Sequence, residues 1–324
     1  MENASRGAYA PLLTLSGFDF SRPQRALLFA VTLLWYVLIL VGNGTIIVAV
    51  ALDRAMHEPM YIFLCNLCVN ALYGTLGFYP KFLADLVHRG PVSYGACMLQ
   101  GYVIHSSTCG DFSILALMAY DRYVAICRPL SYHVIMTRAR MWLFVFVSWL
   151  VPLVAMFMNT ATLLGRALCG TTINRIYCVN WMVTSLACVP PPGNAAVGYF
   201  NMLFYFGHFV FVFYSYLYLV RTCLRSREST RRFTQTCVPH VVSLLTFGGS
   251  TLLDLLYMRF GHAHISQHLS NFLAVEFLLI PPVINPLVYG LKLHKIRRTV
   301  MCLVLRGPKP GARPEVGCAG TDAA

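Results

Sequence analysis

The sequence predicts an all-α membrane protein, a seven-transmembrane helix bundle with its N-terminus outside and its C-terminus in the cytoplasm. Three observations lead there. Of 324 residues, 57% are hydrophobic and only 11% are charged, under half the charged share of a soluble domain, and mean hydropathy is +0.63. The apolar residues gather in seven runs, each close to the ~20 helical residues that cross a hydrocarbon core. The basic residues fall mostly in the short polar gaps on one side of those runs.

The runs lie near 27–52, 61–86, 98–127, 141–164, 197–220, 236–258 and 270–291. The first follows a polar start and is long enough to remain as a span, so it does not read as a cleaved leader. The third carries His105, Asp111 and the pair Asp121-Arg122 along one helix. The fifth is dense in aromatics, "YFNMLFYFGHFVFVFYSYLYLV". Pro80, Pro152, Pro281, Pro282 and Pro286 fall inside or at the ends of spans. Bundled membrane helices tolerate them because neighbouring groups re-satisfy the freed carbonyls.

Seven spans put the termini on opposite faces. With the N-terminus outside, seventeen basic residues fall in the inner gaps and tail and seven on the outer side, with Lys81 inside a span. That imbalance fixes the orientation. Cys97, Cys169, Cys178 and Cys188 then all fall outside, where disulfides persist, although spacing alone does not pair them. Cys65-x-x-Cys68 resembles a redox or zinc motif but lies in mid-membrane, where two small helix-packing residues are the simpler reading. Asn3 opens a glycosylation sequon that an outer N-terminus would make usable. The expected organisation is an outer segment 1–26, the bundle 27–292 with a long outer loop 165–196, an amphipathic surface helix 293–303 and a Gly/Pro/Ala-rich disordered tail 304–324. Cys302 at the end of that surface helix is a candidate for palmitoylation.

The net charge of +13 does not indicate nucleic acid, because it sits in the inner gaps and no soluble module exists to carry it. Anionic lipid and a cytoplasmic partner fit better. A transporter would show internal repeats and paired broken helices, and seven spans do not halve. A membrane enzyme would need metal ligands or a nucleophile and base at one depth. The cluster His262, His264 and His268 is the sole candidate and falls in an outer loop. A bacterial-type photoreceptor would need a lysine in the middle of span seven, which has none before Lys292.

The strings "MHEPMYIFLCNL" (56–67), "MAYDRYVAICRPLSYHVIM" (118–136), "SYL" (215–217), "RRFTQTCVPH" (231–240) and "PPVINPLVYGLK" (281–292) resemble the odorant-receptor branch of the rhodopsin-like G-protein-coupled receptors. The resemblance spans nearly the whole chain. It implies a receptor, not an enzyme, that binds a small odorant, raises cyclic AMP through a stimulatory G protein and sits in the plasma membrane of olfactory cilia. A receptor of the same family sensing a metabolite in another tissue is the alternative. The resemblance also implies disulfides Cys97–Cys178 and Cys169–Cys188. Activation and G-protein coupling would involve Asp121, Arg122, Tyr123, Tyr216, His240, Asn285, Pro286 and Tyr289, with Arg122 paired to Asp121 at rest. Asn70 stands where the family usually has an aspartate, which leaves a sodium site near Asp111 one charge short.

Depth along span three follows from the helical rise of about 1.5 Å per residue. Arg122 lies roughly 25 Å below His105 and about 16 Å below Asp111. His105 read alone is a buried histidine bonded to a carbonyl, and Arg259 a solvated loop residue. Their spacing relative to Asp111 and to Phe260-Gly261 resembles the subgroup that responds to water-soluble acids. On that resemblance a ligand carboxylate would lie on Arg259 with His105 nearby, since arginine holds carboxylates in two parallel bonds. Asp254 and Glu276 read as acids that neutralise Arg259 or Lys81, or that take the ammonium of a zwitterion. Thr108, Phe112, Tyr205 and Thr251 complete the expected pocket.

Overall fold

The computed structural model describes residues 12–16, 20–189, 191–223, 238–260, 267–292 and 294–306. Its helices are α1 (Arg22–Leu52), α2 (Pro59–Val87), α3 (Tyr94–Cys127), a short α4 (Tyr132–Ile135), α5 (Arg138–Ala161), α6 (Asn180–Leu186), α7 (Asn194–Cys223), α8 (Val238–Phe260), α9 (Gln267–Leu279), α10 (Pro281–Lys292) and α11 (His294–Arg306). Five spans are long and apolar enough to cross a membrane by length and composition alone: α1, α2, α5, α7 and the stretch Asn271–Gly290 across α9 and α10. The described apolar part of α8 is shorter, Val241–Asp254. Helix α3 is more polar because it runs through the middle, packed against α2, α5, α7 and α8. Together these helices form the seven-transmembrane bundle.

Local signals place the helix ends. Gln24 accepts from the Ser21 backbone N–H at 2.9 Å, closing the start of α1, and Ser93 and Thr137 accept from backbone N–H groups to open α3 and α5. Pro59 begins α2, a position where its missing N–H costs nothing. Gly165 and Gly193 have φ of +72° and +79°, a left-handed backbone that a side chain would strain, and they turn the chain out of α5 and into α7. The seventh span is two helices, not one. Pro281 and Pro282 supply no N–H to continue α9, so the helix restarts as α10.

Small residues bring α2 and α3 close together, as in many membrane helix pairs. A Cβ on Gly74 would sit 2.2 Å from Ser107 Oγ, and one on Gly110 would sit 2.8 Å from Asn70 Oδ1. At the outer end lies a small sheet that the sequence reading did not include. Strand β1 (Leu12–Leu15) pairs antiparallel with β2 (Val92–Ser93) and parallel with β3 (Thr172–Ile173). Leu13 is buried there with Val92, Tyr94, Cys97, Met98 and Ile173. At the inner end, Thr299 of α11 donates to Asp53 at 2.8 Å and Lys295 to Glu58 at 2.8 Å, fastening α11 to the α1–α2 turn. The Lys295–Glu58 pair is exposed, so it orients more than it stabilises.

Candidate functional site

A cavity of about 240 Å³ opens in the outer half of the bundle. Helix α3 contributes His105, Thr108, Cys109 and Phe112, helix α7 contributes Asn201 and Tyr205, and α8 contributes Thr251 and Asp254. Its roof is the outer loop and α6, through Tyr177, Val179, Asn180 and Trp181. Cys97 is bonded to Cys178 and Cys169 to Cys188. The first of these ties the roof to the top of α3, so its position is covalently set. Gln100 adds to this by accepting from the Cys178 N–H at 3.0 Å.

Most of the wall is apolar or satisfied. Phe112 packs on Phe247 with ring centres 4.8 Å apart and lies 6.5 Å from the Tyr205 ring. Thr108 and Thr251 return their hydroxyls to the carbonyls of Ile104 and Phe247, and His105 Nδ1 is 2.7 Å from the Gly101 carbonyl. Two polar atoms in the lining residues stay short of partners. The buried Tyr205 hydroxyl has none beyond the neighbouring Cys109 thiol, and the buried Asn180 Oδ1 has none. Gly101 makes room for that amide, since a Cβ there would come within 2.7 Å of Asn180 Oδ1.

Asp254 is the one acid lining the cavity among the described residues. Among the described residues its partner is one the sequence reading did not name. Arg175, from the outer loop, donates from Nη1 to Asp254 Oδ1 at 2.8 Å, and the two side chains are 1% and 6% exposed. Lys81 is likewise served by Asp85, one turn along α2, rather than by Asp254 or Glu276. Glu276 does not line the cavity. It accepts from Ser250 at 2.9 Å across the α8–α9 contact. Sequence reasoning counted Arg175 as an ordinary loop cation. The available signal was its place three residues before Cys178, which holds it over the bundle. The side chains of Arg259, His240 and Cys302 lie outside the described residues, as do Asn3 and the His262–His264 stretch.

In mid-bundle, Asn70 donates from Nδ2 to both Asp111 Oδ1 and the Ser107 carbonyl at 2.8 Å. The amide therefore turns N–H groups, not oxygen, toward the Asp111 carboxylate. Asn70, where the sequence reading noted a missing charge, is thus bonded directly to Asp111.

At the inner end of α3, Arg122 donates from Nε to Asp121 Oδ2 at 2.9 Å and from Nη2 to the same oxygen. Tyr132 on α4 donates to Asp121 Oδ1 at 2.8 Å, a partner the sequence reading did not include. Asp121 is fully buried. Tyr123 faces Tyr218 of α7 with ring centres 5.7 Å apart, and Tyr216 is buried on the same helix. On α10, Tyr289 accepts from Ser243 of α8 at 3.3 Å, while Asn285 is buried with Oδ1 unpartnered. Pro286 packs against α1, where a Cβ on Gly42 would lie 3.2 Å from its Cγ.

Comparison with known proteins decides what this bundle is. The model of a family described as olfactory receptor matches residues 32–306. The chain belongs to the olfactory receptor family. The receptor is 35% identical to human olfactory receptor 52D1 over 278 residues, covering 84% of this chain and 87% of that protein. It is 33% identical to human olfactory receptor 2C3 over 308 residues, covering 91% and 92%. With human olfactory receptor 6F1 it shares 33% over 294 residues, covering 89% and 94%. It is thus a multi-pass G-protein-coupled receptor of the plasma membrane and not an enzyme, with odorants and G proteins as its classes of partner.

Proposed function

We propose that the receptor binds a small odorant with an apolar body and one polar end in the cavity beneath α6, and that binding there repacks the inner ends of α3, α8 and α10. The observation that carries this reading is the mostly apolar cavity itself, walled by α3, α7 and α8, with Asp254 in its lining and a roof that the Cys97–Cys178 bond holds in place. The polar end is placed between Tyr205, Thr251, His105 and Asp254. A carboxylate is disfavoured at this spot because it would face Asp254. The clamp on Arg259 read from the sequence would need a ligand reaching beyond this cavity.

The inner switch is proposed to work through Asp121 and Arg122. Release of Arg122 frees a guanidinium for a stimulatory G protein, which raises cyclic AMP, in the cilia of olfactory neurons. His240, Tyr216, Asn285, Pro286 and Tyr289 belong to the elements that repack.

The test is an odorant screen in cells reporting cyclic AMP, run with wild type and Thr108→Trp, whose indole fills the cavity. The expected result is loss of every odorant response at normal surface level. Retained responses would place the ligand elsewhere. Arg259→Ala in the same screen should leave responses to neutral ligands unchanged, and a selective loss of acid responses would restore the carboxylate clamp.

A further inference from the structure

Arg175 and Asp254 form a charge pair between two parts that the chain brings together only on folding, the roof loop and α8. Both side chains are removed from solvent, and they meet at 2.8 Å. Such a pair is costly to desolvate and costlier to break, because removing one partner leaves the other charge buried and uncompensated. The two residues are not equivalent toward the cavity. Asp254 lines it and Arg175 does not, so a bound molecule meets the acid, with the cation behind it. Arg175 occupies Oδ1, and a carboxylate has a second oxygen with acceptor capacity.

We infer that the Arg175–Asp254 pair sets the charge class of the ligand, making the wall neutral overall but hydrogen-bond accepting, so that it selects an uncharged donor such as an alcohol over an amine or an acid. An ammonium group would bring a charge into a wall whose acid is already neutralised, and could gain a counter-charge only by displacing a guanidinium held three residues from the Cys97–Cys178 bond. That tether gives Arg175 a high effective concentration at Asp254. A carboxylate would be set against Asp254 where low dielectric strengthens like-charge repulsion. Loss of Arg175 therefore exposes an unpaired acid to the cavity. The inference rests on the cavity being the odorant site.

Three six-carbon probes differing only in the polar end test it: hexan-1-ol, hexylamine and hexanoic acid, with hexan-2-one as an acceptor-only fourth. The readout is the probe concentration giving half of the maximal thermal stabilisation of purified full-length receptor. Baseline stability is not the readout, because a merely structural brace would move it too. Wild type should respond to hexan-1-ol at least tenfold below hexylamine and hexanoic acid. Arg175→Gln should lower the hexylamine concentration at least tenfold. The reversed pair, Arg175→Asp with Asp254→Arg, keeps neutrality but presents a donor to the cavity. It should shift preference to hexan-2-one at least tenfold, and it carries the test if a single variant does not survive extraction. An unchanged order of probes in these variants, or no stabilisation by any probe, overturns the inference. Thr108→Trp separates the two levels. If it abolishes stabilisation while the charge variants keep the wild-type order, the cavity stands and only the role of the pair falls; if stabilisation survives it, the cavity reading falls.

Discussion

Tyr132→Phe removes one oxygen atom from the inner loop, the one that donates to Asp121 Oδ1 at 2.8 Å. Burial, and after it the Asp121 carboxylate, push the Tyr132 phenol well above its ordinary range. It is therefore protonated at physiological pH and acts as a donor. Asp121 is fully buried and holds Arg122 through its other oxygen, so the tyrosine helps fix the carboxylate that restrains the arginine. A hydrogen bond to a charged group contributes about 1.5–3 kcal/mol. Some of that is recovered by water reaching the inner rim, leaving a shift of about 1.4 kcal/mol away from the resting arrangement, or roughly tenfold. A receptor about 1% active without ligand would become about 10% active. The assay is ligand-free cyclic AMP per surface receptor, with Arg122→Ala as the silent control. A tenfold rise with an unchanged maximal response is expected. Basal signalling at or below wild type, at normal surface level, would refute the view that Tyr132 restrains the switch.

Two further outcomes follow from packing and cross-links. Gly74→Ala places a methyl 2.2 Å from Ser107 Oγ and 2.8 Å from Ser107 Cβ. The overlap should destabilise the α2–α3 pair by about 1–3 kcal/mol and lower the melting temperature of purified receptor, with Ser107→Gly in the same chain restoring it; no restoration would show the strain lies elsewhere. Cys97→Ser opens a loop of 81 residues and Cys169→Ser one of 19. Loop-closure entropy assigns about 4.5 and 3 kcal/mol to the two bonds, so surface expression should fall further for Cys97→Ser, as surface immunolabelling would show.

The bundle was legible because lipid imposes the same requirement on every span, and runs such as 27–52 satisfy it visibly. The Asp121–Arg122 pair was legible because neighbours in sequence are neighbours in space. What composition and periodicity miss is long-range pairing. Arg175 and Asp254 are 79 residues apart, and nothing in a loop arginine says which acid it will meet. Tyr132 looked like part of a motif string, and only the fold of α4 under α3 turns its hydroxyl to Asp121. Asn70 showed a lost charge in the sequence but not its hydrogen bonds to Asp111 and the Ser107 carbonyl, 41 and 37 residues away. Strand β1 was hidden because its four residues, Leu12–Leu15, carry no alternation long enough to register; two partners distant in sequence give it its place.

That strand also has a consequence for how the chain is made. Leu13 emerges from the ribosome first, but the parallel partner of β1 at Thr172–Ile173 is synthesised about 160 residues later. At 5–20 residues per second, Leu13 waits about 8 to 30 s before the groove that buries it exists. Strand β1 is thus translated well before both of its partners exist, and its seating requires Val92–Ser93 and Thr172–Ile173 to be in place. Until both partners are present, Leu13 has no complete groove in which to bury its side chain.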